Sequence, residues 1–136
     1  MKKRILFLCI GNSCRSQMAE GTVNHLMDDK YEAFSAGSKP SSVNQRAVKA
    51  MAEIGIDISQ NKSKHVDIFN GQEFDIVVTV CDDNDKSGCP MFTGKAGKRF
   101  HWPFPDPAAA VGTEEDIMVV FRHVRDVIVD KLKREL

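Results

Sequence analysis

Neither sign of charge predominates in this chain. Nineteen Lys and Arg balance nineteen Asp and Glu over 136 residues, so no global field argues for nucleic acid or an anionic membrane surface. Any anion must be bound locally. Long hydrophobic runs are also missing, and nothing approaches the ~20 apolar residues of a spanning helix. Lys2-Lys3-Arg4 before Ile5–Ile10 faintly imitates a signal peptide, but that apolar stretch is only six residues, short of the roughly 7–15 of a signal core. A cytoplasmic monomer with no membrane or nucleic-acid partner is the expectation. The chain also lacks internal repeats, low-complexity tracts and linkers. Residues 1–136 therefore read as one domain, and 42% hydrophobic with 28% charged residues is ordinary for a globular protein.

Short cysteine pairs are absent too. The four cysteines, Cys9, Cys14, Cys81 and Cys89, fall as Cys-x4-Cys and Cys-x7-Cys, without the tight Cys-x2-Cys pairs of structural zinc sites. No metal site is expected. In a cytoplasmic chain a permanent disulfide framework is disfavoured, which leaves catalytic or redox duty for some of these thiols. There is no Gly-Lys-Ser/Thr, so the nucleotide-triphosphatase loop and its magnesium are not implied either.

Strand signals fall at about Arg4–Leu8, Glu32–Ser35, Asp75–Val80 and, more weakly, Arg99–Trp102. Helix signals fall at Ser16–Met27, Asn44–Ile54 and Thr113–Leu132, with a short one near Val66–Phe69. The alternation, with nearly continuous apolar strands, predicts an α/β fold: a four-stranded parallel sheet with helices on both faces. In the last helix Ile117, Val120, Phe121, Val124, Ile128 and Leu132 make one stripe, and Arg122, His123, Arg125 and Asp126 are assigned to the solvated face. Ligands of open parallel sheets bind beyond the carboxyl ends of strands. Cys9 and Cys81 each end a predicted strand, so both thiols could open on one edge.

The stretch with most chemistry is Cys9-Ile10-Gly11-Asn12-Ser13-Cys14-Arg15-Ser16, between the first strand and the first helix. A loop there aims several backbone N–H groups inward, with the positive end of a helix dipole behind them. That setting binds a tetrahedral oxyanion and favours a thiolate at Cys9. Gly11 permits close approach, Arg15 supplies a planar cationic fork, and Ser16 can donate a hydrogen bond to the sulfur. A buried core cysteine beside a surface arginine is the blander reading, which the strand–loop–helix setting disfavours. Cys14 reads as a small buried packing residue, and Trp102 with Phe100 and Phe104 as a packing anchor.

These residues, continuing into Gln17-Met18-Ala19-Glu20 and joined by Ser35-Ala36-Gly37, Val78-Thr79-Val80-Cys81, Cys89-Pro90, His101-Trp102 and Asp106-Pro107, resemble the low-molecular-weight protein tyrosine phosphatase fold family. Within it the chain is similar to the thioredoxin-coupled arsenate reductases. The resemblance implies that Cys9 attacks arsenic and that the Arg15 side chain, with the loop amides of Ile10, Gly11, Asn12, Ser13, Cys14 and Arg15, cradles its oxygens. Asn12 and Ser16 would tune the thiolate, and Asp106, on a loop stiffened by Pro103, Pro105 and Pro107, would act as general acid. It further implies that Cys81 attacks the Cys9 adduct and that Cys89 then attacks Cys81. Thioredoxin, fed ultimately by NADPH, would reduce the resulting pair, with no bound cofactor.

The polar segment Asp82–Gly88 suits the movement such a relay needs. One residue more than that group's spacing separates Cys81 from Cys89, and Gly88 is the apparent insertion. Some relatives hold a monovalent cation with side-chain oxygens; Asn12, Glu20 and Ser35 match, while Lys64 stands at the aspartate position, its ammonium expected to replace the cation. The alternative enzyme is a phosphatase on phosphotyrosine or a small phosphate ester, using Cys9, Arg15 and Asp106. Against it, Ala108-Ala109-Ala110 follows Asp106-Pro107 where the tyrosine phosphatases carry ring-stacking aromatics. A non-catalytic oxyanion or redox sensor is the third reading, separated by turnover.

Overall fold

The computed structural model describes residues 2–82 and 88–136. Residues 83–87, most of the segment expected to move during a relay, lie outside the described residues. Four strands, β1 (Lys3–Cys9), β2 (Tyr31–Gly37), β3 (Phe74–Thr79) and β4 (Ala96–His101), and three helices, α1 (Arg15–Leu26), α2 (Gln45–Ala52) and α3 (Glu114–Glu135), follow in the order β1-α1-β2-α2-β3-β4-α3, with no α-helix described between β3 and β4. The strands form one parallel sheet in the order β2-β1-β3-β4.

Central β1 is apolar on both faces, and Ile5, Leu6, Phe7 and Leu8 are fully buried. Alternation then sends Ile5, Phe7 and Cys9 into a cluster with side chains of all three α-helices, among them Met18, Met51, Phe121 and Ile128. Leu6 and Leu8 face the other way, into a cluster closed by Phe69 of a 3-10 helix (Val66–Phe69), Phe74 and Phe92. There the rings of Phe34, Phe69, Phe74 and Phe92 meet edge to face at 5.3–5.7 Å, and each such pair adds about 0.5–1.5 kcal/mol beyond its area.

Helix starts follow local chemistry. The Asn44 side chain accepts from the Arg46 and Ala47 amides, and Thr113 with Asp116 forms a reciprocal capping box. In α3 the expected stripe packs inward, with Ile117 and Val120 half-buried, but Arg125 departs from its expected place in solvent. It is 8% exposed, with its guanidinium donating to Ala50 O, Glu53 Oε1 and Asp126 Oδ1. Its long apolar stem fills the α2–α3 seam while partners there satisfy the head. Strand β4 begins three residues before the expected Arg99. It is an edge strand whose side chains are mostly exposed, so main-chain pairing to β3 holds it without an apolar signature. Beyond it Trp102 and Phe104 are buried, whereas Phe100 stacks on Trp102 from the exposed side. Among the described residues no helix is long and apolar enough to cross a membrane.

Candidate active site

Residues 10–14 leave the end of β1 and run straight into α1. Their carbonyls are turned outward: Lys39 N donates to Ile10 O, Ser41 N to Gly11 O and Asn44 N to Ser13 O. Asn12 O accepts from Gln17 Nε2 and Ser63 Oγ. Because C=O and N–H of a trans peptide point opposite ways, the amides of Gly11, Asn12, Ser13 and Cys14 face inward. The Asn12 amide accordingly donates to Cys9 Sγ at 3.2 Å. Asn12 adopts φ +50°, a left-handed conformation that asparagine tolerates better than most residues. At the adjoining end of β2, Gly37 is required for close approach, since a Cβ there would lie 2.2 Å from Ile10 O.

Behind the sulfur a directed chain of hydrogen bonds is visible. Ser16 Oγ lies 2.8 Å from Cys9 Sγ, and Asn12 Nδ2 donates to the same Ser16 oxygen at 2.8 Å. The amide of Asn12 is held in that sense because its Oδ1 accepts from Gln17 Nε2 and from Lys64 N. Against a Cys9 thiolate, which can only accept, the Ser16 hydroxyl is the donor of that bond. Asn12, Ser16 and Gln17 are all fully buried. Gln17 also donates to Lys62 O and accepts from Asn61 Nδ2, clamping residues 61–64 to the loop. Sequence reasoning missed Gln17 and Asn61. The available signal was a polar side chain in a first helical turn whose neighbours, Met18 and Ala19, are core residues.

Glu20 stands beside this clamp. It accepts from Ser35 Oγ and Asn61 Nδ2, and Lys64 Nζ lies 3.8 Å away while donating to Lys62 O. Burial raises the Glu20 carboxyl above its ordinary range, against the opposing pull of Lys64 and Ser35. Cys9, Ile10, Gly11, Ser13, Cys14, Arg15 and Asp106 line a cavity of about 240 Å³. Arg15, 4% exposed, donates to Phe104 O at 3.1 Å and lies 3.8 Å from Asp106 Oδ2. The other Asp106 oxygen caps a 3-10 turn at Ala108 N, which leaves Oδ2 on the cavity side. Cys14 is buried, and burial pushes its thiol up to about 12, so it stays protonated.

Cys81 and Cys89 are joined as a disulfide, while Cys9 and Cys14 are free. Leu8 aligns with Thr79 in the β1–β3 ladder, and Val80 N donates to Leu8 O, so Cys9 and Cys81 leave neighbouring strands at one edge. Cys81 is fully buried. Cys89 is half-buried and borders an apolar cavity of about 450 Å³ with Pro90, Met91, Phe92 and Phe100. Among the described residues no group of three or more His, Cys, Asp or Glu is placed to hold a metal.

Sheet order, cysteine loop and acid loop together define the class: the chain belongs to the low molecular weight phosphotyrosine protein phosphatase family, whose model matches residues 4–136. Its similarity is more particular than that. It is 51% identical over 136 residues to an arsenate reductase of Shouchella clausii (strain KSM-K16), covering 98% of this chain and 94% of that protein. It is 50% identical over 132 residues to an arsenate reductase of Bacillus subtilis (strain 168), covering 96% and 93%. A solved structure of an arsenate reductase in the phosphate binding state superposes with TM-score 0.81 at 32% identity, covering 98% of this chain and 95% of that one.

Proposed function

We propose that this chain is a cytoplasmic arsenate reductase in which Cys9, Cys81 and Cys89 act in sequence, with thioredoxin as electron donor. The observation that carries the reading is the disulfide between Cys81 and Cys89, one strand away from a free Cys9 in an oxyanion cavity. The names of its half-identical relatives agree with it.

The Cys9 thiolate attacks arsenate arsenic, and Asp106 gives its proton to the oxygen that leaves as water. Arg15 and the inward amides hold the remaining oxygens. The Cys81 thiolate then attacks Cys9 Sγ. A Cys9–Cys81 bond forms, and the S–As electron pair stays on arsenic, which leaves as arsenite, two electrons richer. Cys89 attacks Cys81, forming Cys81–Cys89 and releasing the Cys9 thiolate. Thioredoxin's dithiol returns two electrons, ending as its own disulfide. The accessible sulfur is Cys89, so the incoming thiolate attacks there.

The test supplies arsenate, thioredoxin, thioredoxin reductase and NADPH, and follows NADPH loss. Turnover in wild type and none in Cys9→Ser, Cys81→Ser or Cys89→Ser is the expected result. Normal cycling by Cys89→Ser would refute the last step. A second activity follows from Cys9, Arg15 and Asp106 lining one cavity: slow hydrolysis of small phosphate esters. Phosphate shares arsenate's shape, and that reaction needs neither Cys81 nor Cys89. Asp106→Asn is expected to lower it by about 10²–10⁴.

A further inference from the structure

We infer that Ser38 is a latch for the Cys89 end of the relay, a positioning residue that captures Gly88 once Cys89 has bonded Cys81. This rests on the three-thiol reading above. Ser38 Oγ donates to Gly88 O at 2.7 Å, across 50 residues of sequence. The donor is held in place from the catalytic side, because the segment it opens is tied to the cysteine loop by the bonds from Lys39, Ser41 and Asn44 to Ile10, Gly11 and Ser13. Ser38 itself follows Gly37, whose amide bonds Lys64 O.

The acceptor is fitted as well. Gly88 lies against Ile10, and a Cβ on it would stand 3.0 Å from Ile10 Cδ1. A residue next in sequence to Cys89 is therefore seated on the rim of the loop that carries Cys9, with one hydrogen bond and one apolar contact. Before Cys89 bonds Cys81, the tether from Gly88 through Cys89 to the end of β3 does not exist. The latch forms with the disulfide and stabilises it. It favours the step in which Cys89 attacks Cys81 and Cys9 is released, and it makes the product pair harder to reduce.

The reporting reaction is Cys81–Cys89 disulfide plus two glutathione thiols giving two protein thiols plus glutathione disulfide, followed by alkylation and mass analysis over a series of glutathione ratios. Ser38→Ala is expected to shift this equilibrium toward the dithiol by about threefold to tenfold, the reach of one net hydrogen bond. Ser38→Thr, which keeps the hydroxyl, restores it. Gly88→Ala shifts it the same way, and Ile10→Ala added to Gly88→Ala recovers part of the loss. Alkylation of Cys9 stays at the wild-type rate in Ser38→Ala. An equilibrium in Ser38→Ala equal to wild type, or lost equally in Ser38→Thr, overturns the latch. Absence of arsenate turnover in wild type would instead overturn the relay itself, while the glutathione equilibrium still decides whether Ser38 holds the oxidised segment.

Discussion

Replacing Ser16 by alanine tests the directed hydrogen-bond chain behind Cys9. In the wild type the Ser16 oxygen accepts from Asn12 and sits 2.8 Å from the sulfur, so its proton is committed to the thiolate. A hydrogen bond to a charged group is worth about 1.5–3 kcal/mol, and each ~1.4 kcal/mol is a factor of ten. Alanine withdraws that stabilisation from the anionic sulfur. The less stabilised sulfur is intrinsically more reactive, recovering about 0.4–0.5 of the factor on a logarithmic scale. The net result is iodoacetamide alkylation of Cys9 slowed about 3- to 15-fold, while Ser16→Thr, which keeps the hydroxyl, holds the wild-type rate. The oxidised protein suits this assay. Cys81 and Cys89 are bonded to each other, and the Cys14 thiol, pushed up to about 12, stays silent. A wild-type alkylation rate in Ser16→Ala, or equal slowing in Ser16→Ala and Ser16→Thr, would refute the directed chain.

Gly37→Ala places a Cβ 2.2 Å from Ile10 O and 2.9 Å from Cys9 O. With the loop displaced by about 1 Å, kcat/KM for arsenate is expected to fall about a hundredfold with the circular-dichroism spectrum retained; unchanged kinetics would remove the steric argument. Burial raises Glu20 above its ordinary 4.5, so the folded form holds this proton more tightly than the unfolded chain. Its stabilising contribution is complete below that value and is lost as pH rises through the folded titration. Urea midpoints of wild type are thus expected to decline relative to Glu20→Gln from about pH 4.5 upward, and parallel curves would contradict this. With Lys64 Nζ beside Glu20 and bonded to Lys62 O, potassium is expected to activate arsenate turnover no more than sodium at equal ionic strength. A potassium-specific rise would show that Lys64 does not replace a cation.

The strands and helices most legible in the sequence are those whose side chains carry the burial. The short apolar run Ile5–Leu8 reads as a strand covered on both faces, and the three- and four-residue spacing in α3 marks its inner stripe. Strand β4 was poorly bounded for the opposite reason: an edge strand is held by its main chain, and Ala96-Gly97-Lys98 carries no pattern. Arg125 deceived because its head group is satisfied by Glu53, Asp126 and Ala50 O, partners that α2 and α3 bring together only in the fold. The site divides in the same way. Cys9, Arg15 and Ser16 are local in sequence and were readable from spacing and the helix start. Asn61 and Ser63 reach the loop from some 50 residues away, through bonds to Gln17 and Asn12, and no short-range pattern announces them; Lys64, bonded to Asn12, was marked only through the family resemblance.

Under the proposed relay, the burial of the thiols accounts for the use of two cysteines beyond Cys9. The cavity at Cys9 is about 240 Å³, room for a tetrahedral oxyanion and a few waters at a share of about 30 Å³ each. Arg15 and Asp106 help to wall it, and no loop of another protein fits inside. A reductant's thiolate cannot reach Cys9 Sγ, which belongs to a residue only 3% exposed. Arsenic, conversely, needs that enclosure, because amides and a guanidinium neutralise its oxygens best where water is excluded. Under the proposed relay, oxidation formed at the enclosed sulfur passes through Cys81, also buried, to Cys89, half-buried beside an apolar cavity of about 450 Å³. The first transfer makes the Cys9–Cys81 bond as the S–As bond breaks and arsenite leaves, but the second exchanges one disulfide for another, so in that step little driving force comes from the bonds themselves. Direction must come from what holds the product, and the Ser38–Gly88 bond supplies it at the surface end, where a protein partner can act.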